Sequence, residues 1–235
     1  MLFADRPEDL ARDALRAGTR LEGAQVEVAL EFPEVRVTIR PGDDPGRRGA
    51  GDAVDRAVAS LASGFARSIV SFHGLSVPEV LVSALARRDL TLAMAESCTG
   101  GLACHLVAGV PGASAVLLAG IVAYSNEAKL RLLGVRERTL ARHGAVSGRV
   151  AREMLSGALA ATGADCAVAT TGIAGPSGGT RARPVGLVYI GVHAAGRSLV
   201  VRRLYRSRRR QEVRALAAHA ALKLLADIVM MEGVP

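Results

Sequence analysis

Tryptophan is absent from this chain of 235 residues, and aromatic residues make up only 3% of it. Hydrophobic residues still account for 50% of the chain, so its core has to be built mainly from Ala, Val and Leu. That length and apolar content fit one large or two small domains. No apolar run reaches the ~18 residues that a membrane span needs, and the first residues lack the apolar core of a signal peptide. We therefore expect a cytoplasmic protein that has no membrane partner.

Metal-binding sequence patterns are absent as well. The three cysteines, Cys98, Cys104 and Cys166, form no C-x-x-C pair. The histidines have neither H-x-x-x-H nor H-E-x-x-H spacing, so a catalytic zinc site is not expected. We interpret the cysteines as small buried thiols of a reducing compartment.

Lysine is nearly missing, since only Lys129 and Lys223 occur among 30 cationic residues. The net charge of +8 would attract phosphates or nucleic acid, but a net charge alone does not show that the protein binds either of them. Arginine stays protonated in proteins, whereas a buried lysine can lose its proton and act as a base. Lys129, on a short predicted helix after Tyr124, is therefore either such a base or an ordinary solvated helix residue.

The chain is predicted to contain two domains, at residues 1–73 and 74–235. The hydrophobic pattern of the first predicts a small α+β unit with a helix at 6–17, a hairpin of strands at 25–31 and 35–39, and a helix at 53–69. The second is predicted to contain strands at 90–95, 116–124, 166–171, 185–193 and 199–205, and helices at 77–85, 99–107, 127–133, 147–162 and 210–230. Strands alternate with helices up to residue 171, which predicts a three-layer α/β/α fold with a mixed sheet.

Three loops that follow predicted strands, at 96–101, 124–129 and 171–180, are the candidate ligand-binding segments, because ligands bind where such loops gather. In the first loop a strand runs into a Ser/Thr/Gly turn and then a helix. That arrangement presents a hydroxyl and backbone N–H groups to a reacting group or an anion. The alternative is that Ser97 or Thr99 only caps the helix and that the glycines permit tight packing.

A serine with a neutral lysine can carry out acyl transfer, which makes Ser97 and Lys129 candidate partners. Cys98 is the rival nucleophile, although we interpret it as a small residue packed behind the turn. Glu96 either holds the Ser97 loop or is a plain charge at the helix start. The arginine-rich stretch 202–210 is interpreted as a solvated run, and Arg210 and Arg214, which open the last helix, are the better candidates for binding an anion.

Four motifs in order resemble the C-terminal domain of the CinA family, the nicotinamide-nucleotide amidase domain. They are AESCTGG at 95–101, YSNEAKLRLLGV at 124–135, GAVS at 144–147, and TTGIAGPSGGT with PVGLVYIG within 170–191. The resemblance covers about residues 76–230. It implies deamidation of nicotinamide mononucleotide to nicotinate mononucleotide and ammonia without a metal or cofactor, and a homo-oligomer, with a dimer expected first.

The resemblance places Ser97 as the nucleophile and Lys129 as the base, with Tyr124 beside them. We assign six residues to substrate binding: Thr99, Gly100, Gly101, Thr171, Gly172 and Arg210. The N–H groups near Thr99 to Gly101 are expected to hold the oxyanion. Arg206, Arg208 and Arg209 depart from the family, which tends to have Phe, Gly and Asp there, and this leaves the local substrate contacts open.

Residues 1–75 are similar to the small KH-like middle domain of full-length CinA proteins. Their larger molybdopterin-binding-like domain is not matched, so the pyrophosphatase activity linked to that domain is not implied. Gly46-Arg-Arg-Gly49 has the G-x-x-G spelling with which KH domains clamp RNA. However, it follows a predicted strand, and Asp43 and Asp44 would repel a phosphate backbone. We interpret it as a surface loop and expect no nucleic-acid partner; the alternative is a non-catalytic protein that binds nucleotide or nucleic acid through this unit.

Overall fold

The computed structural model describes residues 1–19, 21, 23–42 and 50–231, without the side chain of Ala50. The chain divides into two compact units, of which the first ends at Ser76 and the second begins at Val77. The G-x-x-G stretch at 46–49 lies outside the described residues. In the part of the chain that is described, no helix is both long enough and apolar enough to cross a membrane.

The first unit is a three-stranded antiparallel sheet with two helices. Its elements are β1 (Leu2–Phe3), α1 (Pro7–Gly18), β2 (Ala24–Glu31), β3 (Glu34–Pro41) and α2 (Ala50–Phe65). The strand order is β1-β3-β2, and Val28 pairs with Val37, so the alternating valines share one face. Leu10 and Ala14 of α1 pack against that face. These elements confirm the predicted α+β unit, whereas β1 was not predicted because two residues are too few to show a period.

The second unit is a five-stranded mixed sheet between two layers of helices. Its elements are α3 (Val77–Ala86), β4 (Leu92–Glu96), α4 (Leu102–Ala108), β5 (Leu117–Val122), α5 (Asn126–Leu133), α6 (Glu137–His143), α7 (Gly148–Thr162), β6 (Cys166–Gly172), β7 (Leu187–Ala194), β8 (Arg197–Leu204) and α8 (Arg210–Met231). The strand order is β5-β4-β6-β7-β8. Strands β5, β4 and β6 are parallel, whereas β7 and β8 join antiparallel. The predicted three-layer α/β/α fold is confirmed.

Small residues on the central strands allow the helices to pack closely on the sheet. Met154 and Leu155 of α7 bury against alanines of β4 and β6, which are Ala93, Ala95, Ala167 and Ala169. Helices α3, α4 and α8 pack together on the other side of the sheet. The core therefore consists mainly of Ala, Val, Leu and Met side chains, as the scarcity of aromatic residues requires.

Local signals set the ends of α7 but not the existence of α6. Ser147 Oγ accepts the N–H of Val150 at 3.3 Å, and Gly163 ends the helix with a φ of +70°. Helix α6 is seven residues long and was not predicted. Glu153 of α7 accepts hydrogen bonds from the Arg136 N–H at 3.0 Å and from Thr139 Oγ1 at 2.9 Å. Contacts with α7 therefore stabilise α6. Because such contacts are not visible in the local sequence, the hydrophobic pattern did not predict this helix.

Gly157 gives a test of the packing between α7 and the end of α5. A Cβ at this position would collide with the carbonyl group of Leu133. Alanine in a helix interior is normally more stable than glycine by ~1 kcal/mol, but overpacking costs about 1–3 kcal/mol. We therefore expect Gly157→Ala to lower the free energy of unfolding in thermal or denaturant unfolding.

Gly64 in α2 is the matched control, because a Cβ there meets no atom within 4 Å. Gly64→Ala should leave the stability unchanged or raise it slightly. A Gly157→Ala variant as stable as the wild-type protein would contradict the close approach of α7 to the Leu133 carbonyl.

Candidate active site

The loops that follow β4, β5 and β6 meet at one edge of the sheet, because these three strands run parallel. A pocket of about 270 Å³ opens between them. Six of the nine predicted site residues line it: Ser97, Tyr124, Lys129, Thr171, Gly172 and Arg210. Another pocket, in the first unit, is lined by apolar side chains such as Val54 and Phe65 and contains none of these six residues.

Ser97 and Lys129 form a buried pair at the base of this pocket. Lys129 Nζ lies 3.0 Å from Ser97 Oγ, although the two residues are 32 positions apart. Lys129 is only 1% exposed and Ser97 only 8% exposed. The alternative interpretation of Lys129 as a solvated helix residue is therefore wrong.

Burial favours the neutral form of Lys129, and neighbouring carbonyl groups orient its amino group. Burial lowers the pKa of Lys129 below the ordinary lysine value, because the ammonium ion loses its hydration. Nζ also donates to the carbonyl oxygens of Ala123 at 2.9 Å and Tyr124 at 3.1 Å. When the amine is neutral, its two N–H bonds can satisfy these carbonyls while its lone pair faces Ser97 Oγ. That geometry suits a base for the serine hydroxyl.

The local sequence explains how α5 brings Lys129 to this position. Ser125 Oγ accepts the N–H of Ala128 at 3.0 Å and caps the helix. Gly134 ends the helix with a φ of +61°. Because α5 starts only three residues after β5, its fourth residue, Lys129, lies near the end of the strand, where Nζ reaches the Ala123 carbonyl.

Tyr124 and Arg210 lie together at the rim of the pocket, and both are exposed. Arg210 Nη2 donates to Tyr124 Oη at 2.7 Å, and Nη1 donates to the Gly175 carbonyl at 2.8 Å. Arg210 is the first residue of α8. Through these two hydrogen bonds it links the loop after β5 to the Gly-rich loop after β6. In this structure the Tyr124 hydroxyl is a partner of Arg210, and it is the Tyr124 carbonyl that contacts Lys129.

Thr171 and Gly172 shape the wall of the pocket formed by the end of β6. Thr171 is 1% exposed, and its Oγ1 donates to the Ala145 carbonyl at 2.8 Å. This bond ties the Gly-rich loop to the segment before α7. A Cβ on Gly172 would lie 2.7 Å from the Leu187 carbonyl oxygen, so only glycine allows this approach of β6 and β7.

Thr99, Gly100 and Gly101 do not line the pocket, contrary to the expectation that they bind substrate. Thr99 is fully buried, and its Oγ1 hydrogen-bonds Thr170 Oγ1 at 2.7 Å. The Gly100 N–H donates to the Ser97 carbonyl at 3.1 Å, and the Gly101 N–H donates to Glu96 Oε2 at 3.0 Å. These amides are already hydrogen-bonded within the protein and are not available to an oxyanion.

Cys98 has the properties of an unreactive buried thiol. It is 6% exposed, and burial raises its pKa to about 12, so almost no thiolate exists near neutral pH. Within residues 1–19, 21, 23–42 and 50–231, no three His, Cys, Asp or Glu side chains cluster as metal ligands do. The predicted anion ligand Arg214 is instead bound to the Thr99 carbonyl.

Sequence reasoning missed two polar residues that line the pocket, Asn126 and Ser177. Both are exposed. Asn126 is the first residue of α5, and Ser177 lies in the Gly-rich loop. The one sequence feature that could have indicated a role in the pocket was their position inside the YSNEAK and GPSGG motifs. Residue type alone did not distinguish them from ordinary loop residues.

The fold and the pocket define a class, that of α/β/α proteins with a buried serine–lysine pair at the carboxyl edge of a mixed sheet. The sequence profile of the CinA C-terminal domain matches residues 75–229, which is more than half of the chain. The chain therefore belongs to the CinA family.

Individual relatives agree with this assignment. A CinA-like protein of Anaeromyxobacter sp. (strain Fw109-5) is 43% identical over 206 residues, which cover 87% of this chain and 48% of that protein. A putative competence-damage inducible protein of Caldicellulosiruptor saccharolyticus is 44% identical over 68% of this chain and 38% of its own length. The chain thus spans half or less of the length of these two relatives.

Solved structures show the same relationship. The competence/damage inducible protein CihA of Agrobacterium tumefaciens superimposes with a TM-score of 0.63 at 38% identity, covering 68% of this chain and 99% of that one. A CinA-superfamily protein of Klebsiella pneumoniae also has a TM-score of 0.63, at 34% identity over 66% of this chain and 96% of its own. Both identities are high enough to relate the sequences as well as the folds.

Proposed function

We propose that this CinA-family protein is an amidohydrolase that converts nicotinamide mononucleotide to nicotinate mononucleotide and ammonia, with Ser97 as nucleophile and Lys129 as base. The observation that carries the proposal is the 3.0 Å contact between Nζ of the buried Lys129 and Oγ of Ser97. The names of the relatives state no substrate. The substrate is therefore inferred from the four sequence motifs.

In the first half of the reaction, neutral Lys129 takes the proton of the Ser97 hydroxyl while Oγ attacks the carboxamide carbon. The tetrahedral intermediate carries its negative charge on the former carbonyl oxygen. Since the N–H groups of Gly100 and Gly101 are occupied, we assign the oxyanion to the backbone N–H of Cys98, the residue that follows Ser97 and belongs to the pocket lining. Protonated Lys129 then gives its proton to the departing nitrogen, and ammonia leaves.

The second half releases the acid. Water attacks the nicotinoyl ester on Ser97, and Lys129 removes a proton from that water, as it did from the serine. Collapse of the second tetrahedral intermediate breaks the ester bond and returns the proton to Ser97 Oγ. The products are nicotinate mononucleotide and ammonia, and no step requires an external oxidant or reductant.

Arg210 is the residue that we assign to the phosphate of the substrate. It lines the pocket at the exposed rim, whereas Ser97 and Lys129 lie at its buried base. A guanidinium group matches phosphate geometry and stays charged. Its present partners, the Tyr124 hydroxyl and the Gly175 carbonyl, are neutral, so a dianionic phosphate competes well with them. Thr171 and Gly172 complete the wall against which the nucleotide lies.

The decisive experiment is to incubate the purified protein with nicotinamide mononucleotide and to measure ammonia and nicotinate mononucleotide. We expect the two products in equal amounts, at a rate that a chelator does not change. Circular dichroism and light scattering on the same sample establish that it is folded and test the proposed dimer. A folded sample that releases no ammonia would exclude this function. A salt-sensitive RNA complex weakened by changes at Arg47 and Arg48 would then favour the binding-module alternative.

A further inference from the structure

The carboxylate of Glu96, the last residue of β4, ties the strand to the loop that carries Ser97. Glu96 is fully buried. Its Oε2 accepts the N–H groups of Gly101 at 3.0 Å and Ala103 at 3.1 Å, and its Oε1 accepts the N–H of Cys104 at 2.7 Å. A buried carboxylate is stable only when such bonds replace its hydration. Glu96 therefore fixes the far end of the loop, beyond Ser97, relative to the strand before it.

Arg214 of α8 holds the same loop from another side. Its Nε and Nη2 both donate to the carbonyl oxygen of Thr99, at 3.1 and 2.9 Å. A guanidinium group that donates twice to one oxygen restrains that oxygen in direction as well as in distance. The carboxylate thus restrains N–H groups at the end of the loop and the start of α4, and the guanidinium restrains one carbonyl of the loop.

Ser97 lies in the loop that both residues restrain, and its own N–H donates to the Thr170 carbonyl at 2.9 Å. It lies between Glu96 and Thr99, and its hydroxyl reaches Lys129 Nζ at 3.0 Å. A serine side chain has a single rotatable bond before its oxygen, so the backbone largely decides where Oγ lies. A displacement of ~1 Å in a reacting group can cost ~10²-fold in rate.

We propose that Glu96 and Arg214 are positioning residues for Ser97, which act through the loop at 97–101 and touch neither substrate nor Lys129. The rate effect rests on the proposed amidase function, whereas the restraint on the loop does not. The competing interpretation is that both residues only add to folding stability. In that case their loss would lower the fraction of folded protein and leave kcat per folded molecule unchanged.

The first test is Glu96→Gln. The amide keeps the shape of the side chain but turns one acceptor into a donor that faces the bound N–H groups. At a temperature where the variant is folded, we expect kcat to fall by roughly 10- to 100-fold with KM nearly unchanged, because the ground-state pocket remains. Amide hydrogen exchange of Gly101, Ala103 and Cys104 should also become faster.

Glu153→Gln is the matched control. The carboxylate of Glu153 likewise accepts backbone and side-chain donors, but its partners, Arg136 and Thr139, lie outside the loop that carries Ser97. This variant should lose stability and keep kcat. Equal losses of kcat in Glu96→Gln and Glu153→Gln would overturn the proposal.

Arg214→Gln is the second test and applies even when Glu96→Gln does not fold, because Arg214 is only half-buried. We expect a lower kcat with KM kept, and partial recovery in Arg214→Lys, which can still donate to the Thr99 carbonyl. Arg138→Gln, at an exposed arginine of α6, controls for the lost charge and should be fully active. An unchanged kcat in folded Arg214→Gln would overturn the proposal.

The exchange measurement separates this inference from the proposed function. A wild-type protein that releases no ammonia excludes the amidase but still allows the restraint to be tested. Unchanged exchange of the amides around residues 97–104 in Arg214→Gln, or in folded Glu96→Gln, would overturn the restraint whatever the activity.

Discussion

Replacing Ser97 by alanine should abolish ammonia release, with a loss of roughly 10⁴-fold or more in kcat, because the variant lacks the atom that forms the acyl-enzyme. The substitution removes a single oxygen atom and adds no bulk to this buried site, so the fold should be kept. Substrate binding should survive, since Arg210 and the wall formed by Thr171 are unchanged. Turnover and calorimetric binding of nicotinamide mononucleotide, measured on the same preparation, separate the two effects.

Cys98→Ala is the matched control, at the adjacent residue. The thiol is buried and has a pKa raised to about 12, and its backbone N–H remains in the variant. We therefore expect Cys98→Ala to keep most of the activity. An inactive Cys98→Ala together with an active Ser97→Ala would reverse the assignment of the nucleophile.

Lys129→Arg should lose roughly 10²–10⁴-fold in rate, the usual cost of removing a general base. Arginine keeps the positive charge, but its guanidinium group does not give up a proton near neutral pH. Lys129→Ala and the neutral, similarly long Lys129→Met should lose a comparable amount. Circular dichroism must accompany these rates, since a guanidinium group is larger than the buried ammonium group that it replaces.

The pH dependence of the rate tests the same role. Below its pKa, Lys129 is protonated and cannot accept the serine proton, so the wild-type rate should rise with pH as the neutral fraction grows. Because burial lowers the pKa of Lys129, this rise should lie below the range of an ordinary lysine. Variants without the amine should lack the rise.

Lys223 gives the control for both measurements, because it is the other lysine of the chain. It forms an ion pair with Asp227 on α8, with distances of 2.7 and 2.9 Å. Lys223→Arg should keep both the rate and its pH dependence. If Lys129→Arg were nearly fully active while Lys129→Ala was not, Lys129 would be a charge contact. The base would then be sought at Tyr124, whose hydroxyl now bonds Arg210.

Much of the fold was predictable because short-range signals decide it. The Ser147 cap and Gly163 stop bound α7, and the alternating valines of β2 and β3 predict a hairpin that the register confirms. Strand ends were less predictable. Leu90 was expected to lie in β4, but it lies before the strand, after Asp89 with a φ of +52°. An apolar run indicates which residues are buried, and buried residues extend beyond those that pair in the sheet. The run therefore predicts too early a start for β4.

The sequence by itself determined which groups can do chemistry here. The chain has two lysines and no metal-binding pattern. Lys129 was therefore the main candidate for the base of an acyl transfer, and a loop hydroxyl was the main candidate for its nucleophile. The sequence also determined the local structure that presents them, because the Ser125 cap and the Gly134 stop place Lys129 on a short helix that follows β5 after three residues.

Only the tertiary structure decided which of these groups meet and which are already occupied. The order β5-β4-β6 brings Ser97 to within 3.0 Å of Lys129, and strand order depends on the packing of the whole unit. The same structure turns Glu96 inward, so that its carboxylate binds the N–H of Gly101 that the sequence offered to a substrate. A sequence shows that a donor exists, but whether another part of the protein binds it depends on contacts between residues that local patterns do not relate.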